Sequence, residues 1–377
     1  MTHKFRQFIR IQPSRLFHHD RTIWYRLLGL KKLRHITSSR QFAKLVIGQF
    51  HTPKLMKYLI WFFFFICIIF LISCNIQKTH TKQEKYINEA LDIIEKNSIK
   101  KELIDWSDFR SKVLERGKSD KTIEDAHQTI RYALSLLNDR HSHFIPPKNL
   151  IKGYSEATMI KFTPIVSEYN NGIGYIKIPG FSDNKKLEKD FAGRIQNAIK
   201  DLDTYMINGW IIDLRDNGGG NMWPMLLGVG PILGDGIAGY FVNNKNYYEK
   251  WGYSKGKAFM DTTIVIQMDP FYQLKNKNKK IAILINNKTA SSGEAIAVTF
   301  IGLPNTRFFG KSTRGLTTGN STIILSDSSQ ILLTTVVYAD RNKTLYGKQI
   351  IPDEIANDVD AKDLAIRWFN WKMLLKN

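Results

Sequence analysis

The segment that most constrains this chain is Lys280 to Phe300, KIAILINNKTASSGEAIAVTF. Residues 281–285 have the length and apolar character of a buried strand and residues 294–301 those of a helix. The small residues between them therefore make a tight strand-to-helix turn. Ser291 and Ser292 stand in that turn. A hydroxyl there is presented rather than packed, beside free backbone N–H groups and the positive end of a helix dipole, where an oxyanion would be stabilised. Taken alone, the same two serines fit a plain helix cap.

A serine attacks only when a base removes its proton. Beyond the first 79 residues the histidines are His80, His127, His141 and His143, and none follows Ser291. The chain order Ser, acid, His of the α/β-hydrolases is thereby excluded. His80 falls in a polar tether and His127 in a helical pattern. His141 and His143 occupy a loop where LLNDRHSHF interrupts a helix and Pro146-Pro147 prevent its continuation, a setting in which functional residues concentrate. The pair is two residues apart with no HExxH or cysteine pair beside it, so the pattern supports no metal site.

Strands alternate with helices along the rest of the chain. Amphipathic helices are expected over 82–97, 106–117 and 121–137, the first placing Tyr86, Ile87, Ala90, Leu91 and Ile94 on one face. A loop to about residue 170 leads to a strand at 172–179 and a helix at 185–203. The buried strand Trp210–Arg215 then runs into the glycine turn Asp216-Asn217-Gly218-Gly219-Gly220-Asn221. A helix near 222–232, strands at 237–242, 262–267, 306–310 and 329–338, and a closing helix at 360–374 complete the pattern, with an irregular aromatic and basic segment to about 258. This alternation specifies an α/β fold, a mixed sheet with flanking helices, after a small N-terminal helical region.

Charge and cysteine content bear on compartment. Of the net charge of +21, residues 1–57 account for +12 and the remaining 320 residues for +9. The excess is thus concentrated at the N-terminus and is no nucleic-acid signature of the folded part. Residues 58–73, YLIWFFFFICIIFLIS, are short for a spanning helix, and with Lys54 and Lys57 before them they have the form of an export signal. Leu71-Ile72-Ser73-Cys74 resembles a bacterial lipobox, which would make Met56 the natural start, residues 1–55 an upstream extension and Cys74 the lipidated residue. The other cysteine, Cys67, lies inside the apolar run, so disulfides and cysteine-ligated metals are excluded from the folded region. The expected organisation is an extension (1–55), a signal peptide (56–73), a tether (74–81), a helical region (82–145) and a catalytic core (165–377). The protein would be exported and lipid-anchored in the cell envelope, periplasmic or outer-membrane, and Asn75 after the cysteine is compatible with outer-membrane sorting. The segment Tyr240–Tyr253, which could stack bases, is then better read as a substrate-facing loop or exposed hairpin.

Five separated motifs, LLNDRHSHF, IIDLRDNGGGNM, ILINNKTASSGEA, FFGKSTRGLTTGN and GKQIIPDE, occur in an order that resembles the C-terminal processing, or tail-specific, serine peptidases, including the tricorn-core branch. The resemblance runs from about residue 85 to 370. It implies the α/β core shared with Clp-type proteases and crotonases, a peptide or protein substrate, and no cofactor. By this resemblance Ser291 is the nucleophile, the backbone N–H groups of Gly219 or Gly220 and of Ser292 form the oxyanion hole, and His141 is the general base, with Asp139 and Ser142 shaping its loop. Three departures stand out. Leu316 occupies the place of the lysine base of the better-known branch. Tyr346 occupies the place of the triad glutamate, leaving Asp340 and Glu354 as the nearest acids. Only about thirty residues separate the histidine loop from the next strand, too few for a PDZ domain. The rival expectation is a binding or scaffolding lipoprotein that keeps the fold without turnover. If the leader is read correctly, intact mass of the native protein shows a mature chain that begins at a lipidated Cys74; a chain retaining residues before Cys74 contradicts it.

Overall fold

The computed structural model describes residues 80–147, 165–181 and 185–374, together with Trp61. The expected extension, the expected signal peptide apart from Trp61, Cys74 and the tether up to Thr79 lie outside the described residues. Among the described residues no helix is long and apolar enough to cross a membrane.

Three helices come first: α1 (Lys82–Asn97), α2 (Trp106–Gly117) and α3 (Ile123–Leu136). Thr81, Asp105 and Thr122 each accept hydrogen bonds from the first free N–H groups of the helix they precede, and Thr122 forms a reciprocal box with Asp125. The expected apolar face of α1 is buried in one cluster with Ala126, Ile130, Ala133 and Leu134 of α3. That cluster also takes in Leu325, Ile331 and Leu333, so the helices sit on a sheet rather than standing apart.

Two sheets follow. The first is built from β2 (Val166–Asn170), β3 (Ile173–Lys177), β4 (Gly209–Asp213), β9 (Lys280–Ile285), β10 (Thr306–Gly310) and β13 (Glu354–Ile355), in the order β13-β10-β9-β4-β3-β2. Every pairing in it is parallel except β2 with β3. Its central strands are covered on both faces, which explains why β9 reads as an unbroken apolar run. Ile281, Ile283 and Ile285 join the main core with α4 (Glu188–Leu202), α5 (Met222–Leu233) and α6 (Ser292–Phe300), while Ala282 and Leu284 pack with Ala361 and Ala365 of α7 (Asp360–Leu374). Every residue of α6 is buried, as is α5 apart from Trp223; α5 carries no charged residue and α6 only Glu294.

The second sheet is antiparallel. Its path is β1 (His143–Ile145), β12 (Gln330–Asp340), β5 (Gly236–Asn243), β6 (Tyr248–Ser254), β7 (Lys257–Met260) and β8 (Thr263–Gln267), with β11 (Thr318–Ile324) also paired to β12. The segment expected to be irregular up to residue 258 is regular here. Asn243 accepts hydrogen bonds from the N–H groups of Lys245 and Tyr247, and Asn246 takes a left-handed conformation, which closes the β5–β6 hairpin. Glu249 and Lys250 within β6 hide its strand character from apolar patterning. β1, β2, β11 and β13 were likewise unexpected; β2 is exposed throughout, β13 has two residues and β11 is mostly polar.

The turn joining β11 to β12 is clamped to the helices. Asp327 accepts from the Tyr86 hydroxyl at 2.8 Å and from the Ser329 N–H at 2.9 Å, and its other oxygen lies 2.7 Å from Nε2 of His127. Burial raises the Asp327 pKa, but the bonds from Ser329, His127 and Tyr86 outweigh it and hold the carboxyl below its usual range. A depressed carboxyl contributes stability above its unfolded-state pKa and loses it as pH falls through the folded-state value. Asp327→Asn should therefore unfold at lower urea concentration at pH 7, by about 1–3 kcal/mol, and the gap from wild type should close below about pH 4. A gap independent of pH would contradict the clamp.

Candidate active site

β4 and β9 are hydrogen-bonded neighbours, with Asp213 opposite Leu284, so the turns leaving their carboxyl ends meet. One turn is the glycine run that enters α5; the other carries Ser291 into α6. They are stitched together: the Ala290 N–H donates to the Asn217 carbonyl at 2.9 Å, the Thr289 hydroxyl to the Leu214 carbonyl at 2.8 Å, and the Asp216 N–H to the Asn286 side-chain oxygen at 3.1 Å. The crevice outside the carboxyl ends of parallel strands is where α/β proteins place their ligands.

Ser291 has φ 53° and ψ −120°. A side chain in that region costs about 1–3 kcal/mol and persists only where its surroundings enforce it. The enforcement comes from Glu294. Its carboxylate accepts the Ser291 N–H at 2.9 Å, the N–H groups of Gly315 and Leu316 at 2.8 Å each, and the Thr313 hydroxyl. Burial raises the Glu294 pKa above its usual range and those four donors offset only part of the rise; four donors converging on two oxygens still fit the ionised form, which only accepts.

The glycines beside Ser291 are there because nothing larger fits. Gly219 has φ +103°, and a Cβ on it would lie 2.9 Å from Ser291 Cβ and from the Ser292 nitrogen. Gly220 has φ +105°, and a Cβ on it would lie 2.0 Å from the Phe181 carbonyl oxygen. Of the three groups expected to bind an oxyanion, Ser292 opens α6, and its hydroxyl donates to the Gly220 carbonyl. The Gly219 N–H is donated to the Asn217 side-chain oxygen at 3.0 Å. An oxyanion at Ser291 would compete with that oxygen.

His141 sits in the loop before β1. Asp139 shapes that loop by accepting the N–H groups of His141 and Ser142 and the Ser142 hydroxyl. Asn320 on β11 donates to the His141 carbonyl at 2.9 Å, and Nδ1 of the ring lies 2.7 Å from the Thr318 hydroxyl. Burial lowers the His141 pKa, His143 lowers it further and Asp139 partly offsets both, so the imidazole is neutral near pH 7. The β11–β12 ladder carries one contact to each of these residues, His141 and Ser291. Thr318 is opposite Val337, and the next residue, Tyr338, has its buried hydroxyl beside the Ser291 side chain. Burial raises the Tyr338 phenol, Glu294 raises it further and the Ser291 hydroxyl pulls it back. Ser291 and His141 thus each meet this ladder, through neighbouring positions whose side chains leave it on opposite faces.

The two acids proposed as third member are engaged elsewhere. Asp340 accepts the N–H groups of Asn342 and Thr344 and the Tyr346 hydroxyl, closing the turn after β12. Glu354 pairs with Arg307 at the rim of the first sheet. Neither is the partner of His141 Nδ1, which faces Thr318 instead. The lysines nearest the expected base position are also turned away: Lys288 pairs with Asp216 and Lys311 with Asp358, and Leu316 contributes its N–H to Glu294.

Sequence reasoning passed over Asn217, Glu294, Thr318 and Tyr338. For Glu294 a signal existed, since S-x-x-E at a helix start is a capping pattern. Asn217 lies in a motif that drew attention only for its glycines. Thr318 and Tyr338 carried no signal, because only the pairing of β11 with β12 brings them here.

Residues 172–356 match the family model described as peptidase family S41. The nisin-resistance protein of Lactococcus lactis subsp. lactis is 29% identical over 306 residues, spanning 81% of this chain and 93% of that protein. Among solved structures, a lipoprotein from Streptococcus agalactiae superposes with a TM-score of 0.64 at 25% identity, over 78% of this chain and 97% of that one. The photosystem II D1 C-terminal processing protease superposes with a TM-score of 0.55 at 15% identity, over 76% and 96%, a likeness of fold alone.

Glu294 offers the sharpest test of how this geometry is held. Glu294→Gln leaves a buried donor facing an amide, so the protein should lose about 3 kcal/mol of stability. An unchanged unfolding midpoint would show that the carboxylate does not hold the turn.

Proposed function

Because residues 172–356 are a domain of peptidase family S41, we propose that this protein is a serine-type peptidase with Ser291 as nucleophile and His141 as general base. The observation that carries the reading is the strained Ser291 at the head of α6, held against Gly219 and beside the ladder that supports the His141 ring. In this scheme Oγ of Ser291 attacks the scissile carbonyl and its proton passes to Nε2 of His141. The Ser292 N–H and a glycine-turn N–H, from Gly219 or Gly220, receive the oxyanion. The imidazolium then protonates the leaving amine, and water, deprotonated by the same nitrogen, releases the acyl group.

The substrate class is a peptide in extended form, and nisin, the compound in the lactococcal relative's name, is the first to try. The streptococcal lipoprotein supports an envelope location, with lipid on Cys74 as the anchor. A second reading, peptide binding without turnover, draws on one observation: His141 Nδ1 faces a neutral hydroxyl where a triad would hold a carboxylate.

A fluorophosphonate probe separates the two. Under the peptidase reading it labels the wild type, Ser291→Ala is not labelled, and His141→Ala is labelled at least a hundredfold more slowly. The labelling rate should rise with pH along a single limb whose midpoint lies below about 6.5, because burial disfavours the charged imidazole. A folded wild-type protein that resists labelling supports the binding reading, and a rate that appears only at strongly alkaline pH contradicts His141 as base.

A further inference from the structure

We propose that Thr318 is the positioning residue of the site, its hydroxyl taking the place behind the histidine that a carboxylate fills in a triad. This rests on the reading of His141 as base and goes beyond it. For Nε2 to accept a proton, the neutral imidazole must carry its own hydrogen on Nδ1. The group 2.7 Å from Nδ1 is Thr318 Oγ1, which can accept that hydrogen.

The rest of the loop leaves the ring little alternative. The His141 N–H is held by Asp139, its carbonyl by Asn320, two residues along β11 from Thr318, and Asn320 is itself fixed by the Thr334 hydroxyl at 3.0 Å. β11 thus grips both the backbone and the ring of one histidine, while Nε2 has no hydrogen-bond partner among the described residues. Thr318 in turn is placed by the loop before it. Gly315 and Leu316 are bonded to Glu294, the Thr317 hydroxyl donates to the Lys348 carbonyl, and the Thr317 carbonyl accepts the Tyr338 N–H. One carboxylate therefore sets the backbone of the serine and, through Leu316 two residues before Thr318, the start of the strand that orients the histidine.

A hydroxyl that accepts the Nδ1 hydrogen holds the ring, but because it can also donate it sets the tautomer less firmly than an acceptor-only carboxylate, and it stabilises the imidazolium less. The effect of its removal is correspondingly that of one neutral hydrogen bond. Thr318→Val should slow fluorophosphonate labelling of Ser291 about tenfold, Thr318→Ala should do the same, and Thr318→Ser should rescue most of the rate. Nitrogen NMR of 15N-histidine protein should show the Nδ1–H tautomer of His141 in the wild type and in Thr318→Ser, and a mixture of tautomers in Thr318→Val. Equal labelling rates for wild type and Thr318→Val, alongside an impaired His141→Ala, would overturn the inference and leave the peptidase reading standing. If the wild type itself is not labelled, the peptidase reading fails, and the tautomer spectrum alone decides: the same tautomer in wild type and Thr318→Val overturns the role of Thr318, and its loss in the variant supports it.

Discussion

The site depends on one buried carboxylate. Glu294 is completely enclosed and accepts hydrogen bonds from the Ser291 N–H, from two backbone N–H groups of the 313–316 loop and from Thr313. A charge so deeply buried is tolerable only when its lone pairs are satisfied, and a donor that withdrew would expose the remaining charge to a large desolvation cost. The serine turn and the loop leading into β11 are therefore fixed relative to each other. The parallel sheet supplies Ser291, the antiparallel sheet supplies the seat of His141, and Glu294 is the joint between them.

A second constraint is close approach. Two crossings, Gly219 against Ser291 and Ser292 and Gly220 against Phe181, bring main chain to within distances that no side chain would allow. Neighbouring strands β4 and β9 deliver both turns to the same end of the sheet, and Asn217 spans them, its carbonyl bonded to the Ala290 N–H and its side chain to Gly219. The same asparagine oxygen occupies the Gly219 N–H, one of the donors proposed for an oxyanion. The resting turn is thus satisfied internally, and binding of negative charge has to displace a bond already made.

How much of this was legible in the sequence follows from range. Local signals served well: the apolar run of β9, the small-residue turn, the glycine turn and the periodic faces of α1 and α3 all appear where local patterning placed them. What failed was what depends on partners distant in the chain. β11 is polar, so its sequence reads as loop until β12 is known to lie beside it, and with β11 went Thr318 and Asn320. The acids Asp340 and Glu354 were chosen for their nearness in sequence to the position held by Tyr346; folding sends one into a hairpin turn and the other to a sheet rim. The hairpin of β5 and β6 was hidden by charged residues on a strand whose pairing, not its composition, makes it regular.

The central claim is that a hydroxyl and an imidazole 150 positions apart share one reaction centre. The most direct measurement is a crystal structure of the protein after phosphonylation of the serine. The account predicts phosphorus on Oγ of Ser291, a phosphonyl oxygen within about 3.2 Å of the Ser292 nitrogen, and Nε2 of His141 within hydrogen-bonding reach of the adduct. An adduct on another residue, or an imidazole turned away from a phosphonylated Ser291, would contradict it.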